Sequence, residues 1–249
     1  MSDLAQKGHL HPLSEFINHV NQIFFEMGFT LVDGPELETE YFNFDALNVP
    51  KDHPARDMQD TFWIKQGSDA KEKKLMRTQT SAVQIRYMQG KQPPFRMISF
   101  GKVFRNEATD ATHEMVFHQL EGLMIDQDVT LADLKAVLNN FFAKFFGREM
   151  SVRFRPSFFP FVEPGLEIDI SCFKCHGEAG CSVCKGTGWI EVGGAGMVHP
   201  KVLSESGVDS TRWQGFAFGM GVDRILMLKY GIDDIRLIYA GDLRFVNQF

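Results

Sequence analysis

Hydrophobic residues recur at helical spacing in two segments of the chain. The first segment follows Pro12 and stops at Gly28, and its apolar positions are Leu13, Phe16, Ile17, Val20, Ile23, Phe24 and Met27. The second stops at Gly147, and its apolar positions are Leu131, Leu134, Leu138, Phe141, Phe142 and Phe145. Proline near the first turn and glycine just past the last turn are typical of helix ends. We therefore predict two amphipathic helices, each with one face against a core.

Two long hydrophobic segments, residues 97–105 and 116–126, flank the polar residues 106–114. This arrangement predicts a β-hairpin with a long loop. The shorter predicted strands are residues 29–32, 61–64, 152–155, 166–171, 189–192 and 215–221. Further helices are predicted over residues 81–89 and 222–230, and loops over residues 48–59 and 67–74. Strands and helices do not alternate regularly, so we predict an α+β fold, an antiparallel β-sheet flanked by helices.

Composition and charge limit the classes of protein to consider. The chain has 249 residues, of which 44% are hydrophobic and 23% charged, and we expect residues 1–249 to form a single domain with a substantial core. No apolar run is long enough to span a bilayer, and the first residues lack a secretion signal. The expectation is a cytoplasmic protein with no membrane partner. A net charge of −6 argues against a broadly basic surface, but leaves RNA binding through a local patch open.

Charged side chains share one face of the predicted hairpin. Arg105 and Glu107 lie two residues apart at the end of its first strand, so both point the same way. Phe117, Gln119 and Glu121 alternate along the second strand in the same manner. Periodicity alone favours an exposed face with cross-strand ion pairs. The alternative is a binding site, since a buried sheet face avoids unpaired charges.

Two other segments have features that are typical of ligand sites. Residues 158–161 read Phe-Phe-Pro-Phe, which predicts either a rigid apolar pocket wall or a corner of the core. The glycine-rich residues 215–221 precede Arg224 in the first turn of a predicted helix. The helix dipole disfavours a cation there unless an anion such as phosphate binds nearby. A surface arginine after a tight strand-to-helix turn is the alternative.

All four cysteines of the chain lie within thirteen residues. They are Cys172, Cys175, Cys181 and Cys184, with the spacing C-x2-C-x5-C-x2-C. Four thiolates at this spacing suit a tetrahedral Zn²⁺ ion, and free or oxidised thiols are the alternative. Because cysteines would fill every coordination position, we predict a structural zinc knuckle inserted at residues 172–184.

The ordered motifs resemble those of class II aminoacyl-tRNA synthetases. The first helix with residues 29–37 resembles motif one of that family, residues 103–119 motif two, and residues 219–224 motif three. Other segments are similar to the alpha subunits of bacterial phenylalanyl-tRNA synthetases: residues 77–81 (RTQTS), 117–122 (FHQLEG), 159–165 (FPFVEPG) and 196–200 (GMVHP). The resemblance covers nearly the whole chain and implies the catalytic fold of class II synthetases.

The resemblance also implies a reaction and partners. The enzyme would be an ATP-dependent ligase that converts phenylalanine to phenylalanyl-adenylate and transfers it to tRNA(Phe). Such a site works by positioning and charge neutralisation, because the substrate carboxylate itself attacks ATP. Mg²⁺ is expected with ATP. The family further implies a beta-subunit partner in an α2β2 assembly. Its alpha subunits usually begin with a helical arm, which we expect to be absent here.

The resemblance assigns roles to individual residues. Arg105 and Arg224 are the expected catalytic residues, acting on the phosphates of ATP. The expected ATP-binding residues are Arg105, Glu107, His113, Phe117 and Arg224. The expected amino-acid-binding residues are Trp63, Gln79, Ser81, Gln84, Gln119, Glu121, Phe159, Phe161 and Ala217. Among these, Glu121 would supply the negative charge that an ammonium group needs, and Ala217 would set the depth of the pocket.

Two rival interpretations remain at this stage. One is another class II synthetase-like enzyme that activates a different amino acid. The other is a non-enzymatic zinc-knuckle RNA-binding protein. The aromatic pair at Phe159 and Phe161 favours an aromatic substrate over other amino acids. Arg105, Glu107 and Arg224 together favour an enzyme, and an ATP–pyrophosphate exchange assay distinguishes the two classes.

Overall fold

The computed structural model describes residues 8, 10–52, 56, 61–67, 71–172, 175, 181 and 184–249. In this part of the chain the helices are α1 (Pro12–Glu26), α2 (Glu40–Asn43), α3 (Ala82–Gly90), α4 (Leu131–Phe146), α5 (Pro200–Glu205), α6 (Val222–Tyr230), α7 (Arg236–Tyr239) and α8 (Leu243–Val246). The strands are β1 (Thr30–Leu31), β2 (Leu37–Thr39), β3 (Lys74–Met76), β4 (Phe95–Phe104), β5 (Val116–Asp126), β6 (Val152–Phe159), β7 (Val162–Ser171), β8 (Trp189–Val198) and β9 (Gln214–Gly221). A short 3-10 helix covers Asp45–Leu47.

The two long amphipathic helices begin and end where their sequences predict. The side chain of His11 accepts a hydrogen bond from the first turn of α1, and the chain leaves that helix at Gly28 with a φ of +80°. Thr130 and Asp133 form a capping box at the start of α4, and Gly147 ends it with a φ of +66°. Both glycines occupy the left-handed region that residues with a Cβ disfavour. Local chemistry therefore fixes the length of both helices.

Seven strands form one sheet in the order β1-β4-β5-β9-β8-β7-β6. Only β1 and β4 pair in parallel, and the other neighbours are antiparallel. The predicted hairpin of β4 and β5 lies near the centre, with Val103 opposite Phe117 and Ser99 opposite Glu121. The prediction of an α+β fold with a mostly antiparallel sheet is thus confirmed. A separate two-stranded sheet pairs β2 with β3.

The two faces of the sheet differ in composition. On one face, the ring of Phe218 stacks on Phe24 of α1, which in turn stacks on Phe141 of α4, with centroid distances of 5.7 and 4.8 Å. Phe218 also covers Gly122 on the neighbouring strand, where a Cβ would lie 2.1 Å from the ring. Because side chains alternate along a strand, the opposite face carries the residues in between, including Glu121. One core cluster therefore lies under this face, whereas on the opposite face a second apolar cluster packs on Leu123, Ile125 and Ala217, beside Glu121.

Most of the short elements were not predicted, although the predicted strand at residues 29–32 contains β1. The predicted strand at residues 61–64 is a single bridge instead, with Trp63 opposite Leu75 and backbone hydrogen bonds from Ile64 to Lys74 and from Met76 to Phe62. Leu75 belongs to β3, whose full partner is β2. Strands of three residues and helices of four are too short to show a period, so tertiary contacts decide them. The predicted loops over residues 48–59 and 67–74 lie partly outside the described residues. None of the described helices is both long and apolar enough to cross a membrane.

Candidate active site

A cavity of about 720 Å³ lies on the face of the sheet that carries Glu121. It collects predicted site residues from separate parts of the chain: Gln79, Ser81, Arg105, Glu107, Gln119, Glu121, Phe159, Phe161 and Ala217. Other predicted residues do not line it: Trp63, Gln84, His113, Phe117 and Arg224. The hairpin, the Phe-Phe-Pro-Phe segment and the glycine-rich strand therefore meet at one place.

Glycines on β8 and β9 form part of the cavity floor. A Cβ on Gly219 would lie 2.9 Å from Oε2 of Glu121, and one on Gly194 would lie 2.9 Å from Cζ of Phe159. These two glycines are opposite each other in the β8–β9 pair. Larger side chains here would displace the carboxylate and the ring that line the cavity. The glycines let both groups lie close against the sheet.

Glu121 is buried at the polar end of the cavity, with 5% of its surface exposed. The Ser81 hydroxyl donates to its Oε1 atom at 2.8 Å, and the Thr80 hydroxyl donates to Oε2 at 3.1 Å. The Gln84 side-chain amide also donates to Oε1. Burial raises the pKa of Glu121 to about 7, although the three hydrogen bonds oppose that shift. Desolvation of the carboxylate is therefore the larger effect.

The groups that contact the Glu121 carboxylate are all neutral donors. Among the described residues no lysine, arginine or histidine forms an ion pair with it. A buried carboxylate without a cation is costly, and a bound ammonium group would remove that cost. The polar end of the cavity is thus suited to a ligand with a positive charge.

Residues 77–81, which join β3 to α3, form a buried polar loop beside this carboxylate. The Thr80 N–H donates to Oε1 of Gln119 at 3.2 Å. Asn43 accepts from the Thr78 N–H at 3.2 Å and donates to the Thr78 hydroxyl at 3.0 Å, and its carbonyl accepts from Gln79 at 3.1 Å. Thr80 and Asn43 had no predicted role. A run of five polar residues is usually exposed, so the sequence carried no sign that the fold buries it.

The other end of the cavity is apolar. The rings of Phe159 and Phe161 lie 5.9 Å apart at 22°, and Ala217 lies on the sheet below. Two unpredicted residues, Phe44 and Val49, complete this wall. Trp63 lies behind it, with its ring 6.3 Å from Phe44 and 46% of its surface exposed. This end accommodates a flat hydrocarbon ring.

Asn48 fixes the position of the aromatic wall. Its backbone is left-handed, with a φ of 58°, and its side-chain amide donates to the Pro160 carbonyl at 2.7 Å. The Phe161 carbonyl accepts a hydrogen bond from the His199 N–H at 3.0 Å. Asparagine tolerates the left-handed region better than most residues. The aromatic segment is therefore held from two sides, by Asn48 after the 3-10 helix and by His199 just before α5.

Arg105 marks the boundary between the buried pocket and an open surface. Its Nε atom donates to the Thr78 carbonyl at 3.3 Å, and its guanidinium lies 5.0 Å from the Phe117 ring. Burial lowers the pKa of Arg105, and Glu107 raises it. The guanidinium remains protonated at any physiological pH because an arginine pKa starts above 12. The boundary of the cavity therefore carries a fixed positive charge.

A hydrogen-bonded cluster of the buried His118 and Asp223 with the more exposed Tyr239 joins the hairpin to α6. The Asp223 carboxylate accepts from the His118 N–H at 2.6 Å and from the Tyr239 hydroxyl, which lies 2.9 Å from Nδ1 of His118. Burial raises the pKa of Asp223 and lowers that of His118. None of the three residues had a predicted role. They place the first turn of α6, including Arg224, beside Phe117 on β5.

The comparisons with known proteins agree with this geometry. A family model described as tRNA synthetases class II core domain (F) matches residues 2–249. Phenylalanine–tRNA ligase alpha subunits of Caldanaerobacter subterraneus subsp. tengcongensis and Bacillus licheniformis are 55% and 56% identical to the chain. The matches cover 97% and 98% of this chain, and 69% and 70% of those proteins. The chain belongs to the phenylalanine–tRNA ligase alpha-subunit family.

The predicted resemblance of this synthetase chain to class II enzymes is thereby confirmed. The fold is also found in the crystal structure of pyrrolysyl-tRNA synthetase from Desulfitobacterium hafniense, with a TM-score of 0.70 and 18% identity. That match covers 98% of this chain and 78% of the other. At so low an identity the likeness concerns the fold alone.

Two predicted residues of the synthetase site lie on its exposed side. Arg224 is exposed, three residues after Gly221, which lines the cavity. His113 is also exposed, and its Nδ1 atom lies 3.1 Å from the Asp110 carboxylate. The Ile235 N–H donates to the Ala111 carbonyl at 3.0 Å, which attaches this loop to the segment before α7. The assignment of both residues to ATP stays a prediction.

The four cysteines of the synthetase are placed to hold a metal ion. Their sulfur atoms all lie within 4.8 Å of one another. The distances are 3.9 Å from Cys172 to Cys181 and 3.3 Å from Cys175 to Cys184. A tetrahedral ion bound at about 2.3 Å separates its sulfur ligands by roughly 3.8 Å. The rest of the predicted knuckle, residues 173–174, 176–180 and 182–183, lies outside the described residues.

Proposed function

We propose that this synthetase activates phenylalanine with ATP and transfers the phenylalanyl group to tRNA(Phe). The observation that carries the proposal is the buried Glu121 carboxylate, which has only neutral donors around it and an aromatic pocket in the same cavity. An α-amino acid with an aromatic side chain satisfies both ends at once. The printed names of the relatives, phenylalanine–tRNA ligase alpha subunits, support the same substrate.

In this proposal the amino acid lies across the cavity. Its ammonium group binds Glu121 and contacts Ser81 and Gln119, with Gln84 and Gln79 supporting the polar end. Its ring lies against Phe159 and Phe161, since aromatic pairs at such distances are favourable. Ala217 limits the depth below the ring, and Trp63 supports the wall from behind. The carboxylate of the substrate then points toward Arg105.

The nucleotide would occupy the open side of the cavity. A carboxylate oxygen of phenylalanine attacks the α-phosphorus of ATP, the bond to the β-phosphate oxygen breaks, and pyrophosphate leaves. Arg105 neutralises the charge on the α-phosphate. Phe117 and Glu107 contact the adenine by stacking and hydrogen bonding, and Arg224 and His113 contact the outer phosphates. For the adenine to stack on Phe117, the Arg105 guanidinium must move away from the Phe117 ring.

Acidic residues other than Glu121 also line the cavity, and carboxylates are ligands that Mg²⁺ binds in proteins. Bound Mg²⁺ would neutralise phosphate charge. Glu167 is already engaged, with Oε1 3.1 Å from the Ser157 hydroxyl and Oε2 2.7 Å from Arg155. Glu191 lines the same cavity and also pairs with Arg155, at 3.3 Å, but 57% of its side chain is exposed, against 29% for Glu167. We propose Glu191 as the protein ligand for the ion, because it is the more exposed of these two carboxylates.

We infer that the cysteine cluster holds zinc. Thiolates are the ligands that zinc prefers in closed structural sites. Cys172 directly follows β7, and Cys184 lies shortly before β8. Zinc would therefore hold together the end of β7 and the start of β8, the strands that carry Glu167 and Glu191. Metal analysis of reduced protein should give one zinc per chain, and metal-free protein with full activity would contradict this role.

We also infer a beta-subunit partner, an α2β2 assembly and action in the cytoplasm. These rest on the alpha-subunit names of the relatives and on the role of such ligases in translation. The mass of the native complex, measured by light scattering after co-expression with the candidate beta subunit, tests the assembly. An alpha chain that never associates with it would contradict the inference.

Amino-acid-dependent ATP–pyrophosphate exchange across all twenty amino acids tests the central proposal. We expect exchange with phenylalanine to exceed that with any other amino acid by at least about 100-fold, because the pocket is apolar and closed below. A preference for another amino acid would identify a synthetase of different specificity. No exchange with any of them, with the beta subunit present, would reject activation altogether.

A further inference from the structure

Arg77 is a buried arginine immediately before the polar loop, and no substrate role accounts for it. Only 2% of its surface is exposed. Its Nε atom donates to the Lys102 carbonyl at 2.7 Å, and its Nη1 atom donates to the carbonyls of Gly34 and Pro35 at 3.1 and 3.4 Å. One guanidinium thus connects β4 with the turn before β2.

The main chain of Arg77 is held by the same two neighbours. Its N–H donates to the Glu36 carbonyl at 2.9 Å, and its carbonyl accepts from the Phe104 N–H at 2.9 Å. Five hydrogen bonds of one residue therefore fix where residues 78–81 begin. Those residues supply the hydroxyls of Thr80 and Ser81 to Glu121.

Gly101 on β4 makes room for this side chain. A Cβ at Gly101 would lie 1.7 Å from Nη2 and 2.8 Å from Cζ of Arg77. The guanidinium therefore lies flat on the strand at the residue that pairs with Gln119. No other residue type than glycine leaves that space, so the geometry depends on both partners. Substitution of either Arg77 or Gly101 should therefore disturb the contact between them.

We propose that Arg77 is a positioning residue for amino-acid binding: it fixes the buried loop so that Thr80 and Ser81 orient Glu121 toward the substrate ammonium. A lysine keeps the charge but cannot donate in several directions from a planar group. The loop would then shift, and the carboxylate would lose its alignment. This inference rests on the proposed activation of phenylalanine.

Two variants test the proposal, one on each side of the contact between Arg77 and Gly101. Arg77→Lys keeps the charge and removes the planar donor, whereas Gly101→Ala keeps the arginine and displaces it. Both should raise the KM for phenylalanine in pyrophosphate exchange by about 10-fold or more, and the KM for ATP by less than about 3-fold. A purely structural role would lower thermal stability without this split between the two substrates.

Matched controls are available away from the loop. Arg96 donates to a carbonyl, that of Met27 at 3.2 Å, and it lies near the start of β4, far from Gly101. A Cβ at Gly90 meets no atom within 4 Å. Arg96→Lys and Gly90→Ala should therefore leave both KM values unchanged. They report the effect of each substitution type away from the loop.

Hydrogen exchange of the ligand-free protein provides a readout that does not depend on activity. Amides of residues 78–84 should exchange faster in both variants than in wild type and controls. If wild type shows no phenylalanine-dependent activity but these amides respond, the proposed function fails, and only the dependence of the loop on Arg77 stands. The positioning role would be overturned if hydrogen exchange of these amides were unchanged, if both KM values rose equally, or if neither variant folded. If only one variant folds, that variant decides.

Discussion

The two ends of the cavity are built differently. At the amino-acid end, Glu121, Thr80 and Ser81 are buried and already hydrogen-bonded to one another. On the open side, where we propose that the nucleotide binds, Arg224 and His113 are exposed to solvent. The first end has a defined geometry before any ligand binds. On the open side, neither of these two side chains is held by burial.

This difference follows from the chemistry of the two proposed substrates. A single ammonium group needs one carboxylate at one place, and a pre-arranged site avoids the cost of ordering it on binding. A triphosphate carries several charges that exposed cations can reach without burial. We therefore expect single substitutions to act sharply at the amino-acid end. At the nucleotide end their effects should be spread over several residues, except at Arg105.

Arg105→Ala should have the largest effect, because Arg105 lies where the two ends meet. Loss of charge neutralisation at the α-phosphate should reduce kcat for phenylalanine-dependent exchange by about 1000-fold. The same substitution at the exposed Arg224 should cost considerably less. Steady-state exchange kinetics of both variants measure the difference. Retained exchange in the Arg105 variant would remove this residue from the mechanism.

Glu121→Gln should raise the KM for phenylalanine by about 100-fold and leave the KM for ATP nearly unchanged, since only the ammonium loses its partner. The glutamine has the same shape without the buried charge. Ligand-free variant protein should therefore melt at a higher temperature than wild type at pH 8. Calorimetry and exchange kinetics on the same preparations check both effects. A rise in the KM for ATP as well would show that the two ends are not separate.

The pKa of Glu121, raised to about 7, predicts a pH dependence of amino-acid binding. Below that pH the carboxyl is neutral, so kcat/KM for phenylalanine should fall by about tenfold per pH unit. The KM for phenylalanine of the Glu121→Gln variant should be independent of pH over this range. A wild-type profile without a transition between pH 6 and 8 would contradict the assignment.

The raised pKa of Glu121 has the opposite effect on the stability of the fold, which decreases as the pH rises. The folded state binds the proton more tightly than the unfolded chain, in which the carboxyl has its ordinary pKa of 4.5. The stability contributed by this group is therefore present below pH 4.5 and is lost as the pH rises toward 7, by about 3 kcal/mol. Urea titrations of wild type and the Glu121→Gln variant across this range isolate that contribution.

Ala217→Gly should give the smallest effect, a broader substrate specificity at the apolar end. Removing one methyl group deepens the pocket, so exchange with p-chlorophenylalanine should rise by about 10-fold, and exchange with phenylalanine should change little. Comparison of kcat/KM for the two amino acids measures it. If the variant activates p-chlorophenylalanine no better than wild type, Ala217 does not set the depth of the pocket.

Local patterns were enough to predict the long elements and much of the site. The alternation along residues 116–126 places Gln119 and Glu121 on one face, and register then brings them opposite Gly221 and Gly219 of β9. Such residues could be found because they lie in regular strands or in motifs of a known family. Thr80, Asn43 and Asp223 could not, because each acts through a partner far away in the chain, 35 residues or more for the contacts shown here.

The sequence by itself determined the α+β class, the helix ends at Gly28 and Gly147, and the cysteine spacing. Each depends on neighbouring residues, through side-chain periodicity, backbone φ or ligand spacing. Only the tertiary structure decided that residues 77–81 are buried rather than exposed. It also decided that Glu121 has neutral donors and, among the described residues, no cationic partner. Burial and the pKa of a carboxylate depend on which segments pack together, and no local pattern records that packing.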